Sequence, residues 1–325
     1  MNRRGFTLIE LLVAMGLSMA IIAVLAVLVG RFGEAWAQAS GRLVAQTQAR
    51  VALDQLEADL QGAFVRGDGQ PWLAVRLRAR SGDVPLWTDA GEDGRQKPAA
   101  LSLRQGGGSI TGDRFGVGGC WLRFFSAQRM TESSAGLPVA VGYQIVRRRM
   151  TGTSEARYYL HRSEVRPVQD GTGAGVWESG YALAASGSSP YMCPGPGNAG
   201  AEGDPVTLSS PGALGTLLAD SVVDFGVRLY ARDGTGGLRL VYPQADVGAE
   251  YLAGAREEMP WPAEAELMLR VLTPEGAALL ANIEAVPCRA GARPSAYASD
   301  AEWWWAVVEQ HSRVHVRRVE LIARP

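Results

Sequence analysis

The stretch Gly5-Phe6-Thr7-Leu8-Ile9-Glu10-Leu11-Leu12-Val13-Ala14-Met15, preceded by Met1-Asn2-Arg3-Arg4, decides how the rest of the chain is read. Between residues 6 and 29 the clearly polar interruptions are Thr7, Glu10 and Ser18. At the helical rise this segment makes roughly 36 Å of helix, enough to cross a hydrocarbon core of about 30 Å with some tilt. Arg3, Arg4 and the initial amine charge the leading side, whereas Arg31 on the far side is offset by Glu34. The positive-inside rule therefore predicts a cytoplasmic leader and export of everything after residue 30. Glu10 breaks the pattern: a carboxylate costs about 2.5–3.5 kcal/mol at the centre of an inserted helix, somewhat less near its end, and an ordinary anchor would carry a leucine there.

Two simple readings explain less than the whole. Ala35-Trp36-Ala37 is an A-x-A-like cleavage site, but the apolar run exceeds a signal peptide's usual h-region of about 7–15 residues and contains Glu10. A plain uncleaved anchor accounts for the length and leaves Gly5 and Glu10 without a role. The segment closely resembles the prepilin processing motif shared by type IV pilins and type II secretion pseudopilins. That resemblance implies cleavage between Gly5 and Phe6, methylation of the new Phe6 amine, and Glu10 as the fifth residue of the mature chain. It also gives the carboxylate a task, because inside a filament Glu10 can be neutralised by the α-amine of a neighbouring Phe6 and so set register. The implied partners are the prepilin peptidase, other pilin or pseudopilin subunits and an inner-membrane assembly platform. The implied location is the inner membrane, single-pass, with a periplasmic or extracellular head that enters a filament on assembly.

No proline occurs between Met1 and Pro71, and Leu53, Leu56, Leu60 and Phe64 keep helical spacing, so one helix is expected to continue to about residue 64. Its outer half sets Arg42, Arg50, Asp54, Glu57 and Asp59 against a stripe including Leu43, Leu53 and Leu60, the profile of a helix lying on a sheet; Gly33 and Gly41 are candidate bends. The expected organisation is a leader at 1–5, a transmembrane and filament helix at 6–29, an amphipathic continuation at 30–64, and a β-rich globular head with long loops at 65–325. The fold class is α+β.

In the head the period changes from 3.6 to 2. Val139, Val141, Tyr143 and Ile145 alternate before a turn at 151–154, and residues 158–161 return, which predicts a hairpin. Val223, Phe225, Val227 and Leu229 run into Asp233-Gly234-Thr235-Gly236-Gly237, and Leu238, Leu240 and Tyr242 come back as a second hairpin. Ala265, Leu267, Leu269 and Val271 predict a strand stopped by Pro274, with a short helix around Leu279, Leu280 and Ile283 and a last strand over 314–322. Glycine-, proline- and serine-rich loops occupy 91–108 and 187–215. The order of elements resembles the J-type minor pseudopilins and W-like minor pilins. The carriers are Tyr143-Gln144-Ile145-Val146 leading to Tyr158-Tyr159-Leu160-His161-Arg162, the segment 218–225, and the strand after Met259-Pro260; the long loops and the tail after Cys288 depart from that pattern.

The composition, 47% apolar and 20% charged, is that of a globular chain rather than a disordered or multi-pass one. A net charge of -1 offers no basic surplus for a phosphate backbone, so nucleic acid is not an expected partner. Cys120, Cys193 and Cys288 are too scattered for a metal or redox motif, and one disulfide with one free thiol is compatible with an oxidising compartment. No G-x-S-x-G, H-E-x-x-H or G-x-x-x-x-G-K-[ST] occurs, so no enzymatic activity, cofactor or metal is expected. His311 and His315 are four apart, but Val314-His315-Val316 reads as strand and would split them; Asp89, Glu92 and Asp93 lack the alternation of a calcium loop. Ser299 and Glu302 form a capping-box signature opening a helix to about Gln310, which places Trp303-Trp304-Trp305 in its first turns. Those rings serve either the core or, if one stays exposed, a contact with a partner subunit or sugar. The leading reading is a structural minor subunit that primes or caps a type IV pilus or secretion pseudopilus. An adhesive or ligand-binding minor pilin is the alternative, with an anchored periplasmic enzyme behind it.

Overall fold

A computed structural model describes residues 8–65, 71–77, 104–105, 109–110, 120–127, 138–148, 157–165, 168–169, 175–176, 217–243, 250–254, 260–284, 289–298 and 300–321. The chain divides into two compact units, Met1–Val44 and Ala45–Pro325. Helix α1 (Leu8–Gln61) is helical through Gly33 and Gly41. Within the second unit Ala45, Ala49, Ala52, Leu53, Leu56 and Leu60 are buried at the three- and four-residue spacing of one face.

The expected stripe was too long at both ends, for Leu43 and Phe64 are exposed. The reason at Phe64 is that α1 stops at Gln61 and the backbone turns onto a strand. Phe64 N–H donates to the Phe125 carbonyl at 2.7 Å, and Ala127 N–H to that of Gly62 at 2.7 Å. Gly62 permits this approach, since a Cβ there would lie 3.0 Å from Ser126 Oγ.

The strands are β1 (Leu73–Leu77), β2 (Arg104–Gln105), β3 (Ser109–Ile110), β4 (Cys120–Ala127), β5 (Pro138–Arg148), β6 (Arg157–Val165), β7 (Val168–Gln169), β8 (Gly175–Val176), β9 (Leu217–Asp220), β10 (Val222–Arg232), β11 (Leu238–Tyr242), β12 (Glu250–Ala253), β13 (Glu264–Leu272) and β14 (Ser312–Glu320). A first antiparallel sheet has the order β12-β1-β4-β5-β6-β9 and a second the order β11-β10-β13-β14; β2-β3 and β7-β8 are short ribbons. Both predicted hairpins are present: β5 pairs with β6, Tyr143 opposite Arg162, and β10 with β11, Tyr230 opposite Leu240. In the second hairpin Asp233 Oδ1 accepts from the Thr235 hydroxyl and from the N–H groups of Thr235 and Gly237, and these bonds hold its carboxyl below the usual range. The 151–154 turn, the 187–215 loop, and Asp89, Glu92 and Asp93 lie outside the described residues.

One chain segment serves both sheets. β9 leaves the first and becomes β10 of the second through Ser221, whose φ of 60° is left-handed. Such a conformation costs a residue with a Cβ about 1–2 kcal/mol. Ser221 Oγ donates to Asp220 Oδ1 at 3.0 Å, and Leu272 N–H donates to the Ser221 carbonyl at 2.9 Å.

After β13, Thr273 caps helix α2 (Pro274–Glu284), its hydroxyl accepting from Gly276 N–H at 3.2 Å with Pro274 at the first helical position. Helix α3 (Asp300–His311) runs directly into β14, so the last strand starts at Ser312, opposite Leu272, earlier than expected. The buried core joins the α1 face to Trp72, Val75, Phe124 and Tyr143 of the first sheet and to Phe225, Val227, Leu267 and Leu269 of the second.

Candidate assembly site

Gly5 and Phe6 lie outside the described residues. Glu10 is in the first turns of α1, and its side chain is likewise outside them. The apolar side chains that follow are exposed, from Leu8 at 79% through Met19 at 69% to Val29 at 69%. Among the described residues α1 is the one helix long and apolar enough, by length and composition, to cross a membrane. A surface of this kind suits lipid or other apolar helices rather than water.

At its other end α1 is bound to both sheets through carboxylates placed within two turns. Asp59, which its spacing had suggested for the polar face, is buried. Its Oδ2 accepts from Tyr143 Oη at 2.5 Å and Arg162 Nε at 2.7 Å, its Oδ1 from Gln55 Nε2 at 3.0 Å, and its carbonyl from Ser126 Oγ at 2.9 Å. Burial, and after it the Asp59 charge, push the Tyr143 phenol well above its ordinary range, so it stays a donor. On the second sheet Arg317 of β14 donates to Asp54 and Glu57, both at 2.5 Å. These bonds, Glu57 first, raise the guanidinium pKa further. Sequence spacing marked all three acids as polar but not as links; their neighbours are close in space only once β5, β6 and β14 are in place.

The tryptophan segment resolves mostly into core. Trp304 and Trp305 are buried with ring centroids 4.8 Å apart, and Trp303 is half-buried. Trp304 Nε1 donates to Glu284 Oε1 at 2.7 Å, which also accepts from Tyr158 Oη at 2.6 Å. Buried Trp304 and Trp305 are thereby removed as surfaces for a partner, and Trp303 is left as the partly accessible ring. At the N-terminus of α3 Glu302 accepts from Ala298 N–H at 2.6 Å; Ser299, the other residue of the expected capping box, lies outside the described residues. Glu284 carried no sequence signal, because nothing in α2 marks which glutamate faces inward.

His311 ends α3 and His315 lies in β14, so helix and strand do separate them. Among the described residues no three His, Cys, Asp or Glu side chains gather as metal ligands. Cys120 is a free buried thiol, raised strongly by burial and by Asp224, while Cys193 and Cys288 lie outside the described residues.

No curated protein and no solved structure matches the chain. Residues 1–30 match the family described as the prokaryotic N-terminal methylation motif. With that motif leading into a long apolar helix and then into two antiparallel sheets, the chain is consistent with a type IV pilin-like family and has its α+β architecture.

Proposed function

We propose that this protein is a minor pilin or pseudopilin, cleaved and methylated at its N-terminus, that is assembled into or caps a type IV pilus or type II secretion pseudopilus. The observation that carries the reading is the methylation motif over residues 1–30, continuous with a helix whose apolar side chains are exposed. Cleavage between Gly5 and Phe6 leaves Glu10 as a costly carboxylate in an apolar setting, and a neighbouring Phe6 amine is its natural counter-charge. The order of β5, β6, β9, β10 and β13 favours the J-type or W-like minor subunits. The head then acts through protein interfaces rather than catalysis, with its leader in the cytoplasm and its head exported.

The mature protein recovered from membranes is expected to begin at methylated Phe6, and Gly5→Val to retain the leader while still inserting. Glu10→Leu is expected to insert at least as well as wild type, because a polar group has been removed. Its cross-linking to co-expressed pilin subunits should fall. An N-terminus at Gln38, or undiminished cross-linking by Glu10→Leu at matched expression, would remove the processing or the assembly part of this reading respectively.

A further inference from the structure

β14 forms one edge of the second sheet. Its pairing with β13 runs from Leu272 opposite Ser312 to Glu264 opposite Glu320, and among the described residues no strand lies on its other side. A free edge presents unpaired backbone N–H and C=O groups and templates another strand unless it is short, covered or guarded by charge. β14 is nine residues long, and Arg313, Val314, Val316, Arg318 and Glu320 are exposed. Val314 and Val316, 40% and 55% exposed, share one face two residues apart. Two of its arginines are already engaged, Arg317 by Asp54 and Glu57 and Arg318 by Glu266. Arg313 has no carboxylate partner among the described residues.

The residue order argues against a second copy on this edge. In a two-fold antiparallel pair that keeps faces matched, Val314 meets Val316 of the other copy only when His315 faces His315. That register sets Arg313 against Arg317 twice, a like-charge pairing that destabilises a ladder. Sliding to bring Val316 against Val316 sets Val314 against Arg318 instead. Neither arrangement sets an acidic residue of β14 opposite Arg313.

We propose that the free edge of β14 docks one extended strand of a different protein, with aliphatic residues opposite Val314 and Val316 and a carboxylate opposite Arg313. Backbone hydrogen bonds supply the affinity and the alternating side chains the selectivity. The identification of that protein as a neighbouring subunit rests on the filament reading above; the edge itself does not.

The probe is a synthetic peptide of β14's length alternating valine and glutamate. Its controls are the same peptide with lysine for glutamate, and the acidic peptide with a central proline, which cannot continue a ladder. With the full chain in detergent, the acidic peptide is expected to slow amide hydrogen exchange over residues 313–319 by about tenfold, while the proline peptide does not. Arg313→Glu should reverse the preference, favouring the lysine peptide by about fivefold. No slowing, equal slowing by all three peptides, or a chain dimer protected at β14 and dissolved by Val316→Glu would overturn the proposal, the last by giving the edge to a second copy. Phe6 processing and Glu10-dependent cross-linking are scored on other residues, so failure of either idea is distinguishable from failure of the other.

Discussion

Tyr143 and Asp59 meet at 2.5 Å across the join between α1 and the first sheet, with the hydroxyl donating to a buried carboxylate that Arg162 also holds. Tyr143→Phe removes one bond and leaves the Arg162 pair, so the expected loss is about 1–2 kcal/mol by denaturant unfolding of the full chain in detergent. Asp59→Ala removes the acceptor of Tyr143, Arg162 and Gln55 together and should cost more, about 3 kcal/mol or above. Equal losses for the two variants would mean that the Arg162 and Gln55 bonds to Asp59 contribute nothing to this join.

Glu284 predicts a different ordering of variants. Its Oε1 serves Tyr158 and Trp304, so Glu284→Gln can keep an acceptor at that point and should lose about 1 kcal/mol. Glu284→Leu leaves an indole N–H and a phenol buried together and should lose about 2–4 kcal/mol. A red shift in tryptophan emission on Glu284→Leu, absent for Glu284→Gln, would locate the damage at Trp304.

His315 is expected to make the head sensitive to acid. Burial, and after it the Arg313 charge, lower its pKa from the ordinary 6.5, so the unfolded chain binds this proton more readily than the folded one. The resulting stability is present above about pH 6.5 and is lost as pH falls through the depressed folded value. Urea midpoints measured from pH 7.5 down to 5 should fall less steeply for His315→Asn than for wild type. Parallel slopes would assign the acid sensitivity to other groups.

Much of the architecture was legible because it is written in local pattern. Alternation over 139–145 and 223–229, with Asp233-Gly234-Thr235-Gly236-Gly237 between two apolar runs, fixed two hairpins, and Pro274 marked where β13 gives way to α2. The order of strands across the sheets was not legible, since β1 pairs with β12 and β9 crosses between sheets at Ser221, and neither leaves a short-range trace. The methylation motif over residues 1–30 was readable for the opposite reason: Gly5, Phe6 and Glu10 lie close together in sequence, and an acid in an apolar run is conspicuous on its own. The links from Asp54, Glu57 and Asp59 were not, because a carboxylate on a helix looks the same whether it faces water or an arginine brought from residue 162 or 317. Trp303, Trp304 and Trp305 illustrate the middle case, where the helix could be predicted but its facing could not.

The pairing of β1 with β12 dictates an order of events during synthesis. Leu73 lies opposite Ala253, so one whole side of β1 stays unsatisfied until the chain has passed through β10 and β11 and come back. The β10–β11 hairpin is local and can close on its own, whereas the first sheet closes late at the cost of a long loop. In that interval Leu73, Ala74 and Val75, all buried in the finished head, form an apolar strand with an open edge. A nascent or truncated chain ending before residue 250 would therefore hold a first sheet that lacks only β12 and sticks by its open edge to other such chains, making this protein's yield depend on how quickly about the last quarter of the chain is delivered.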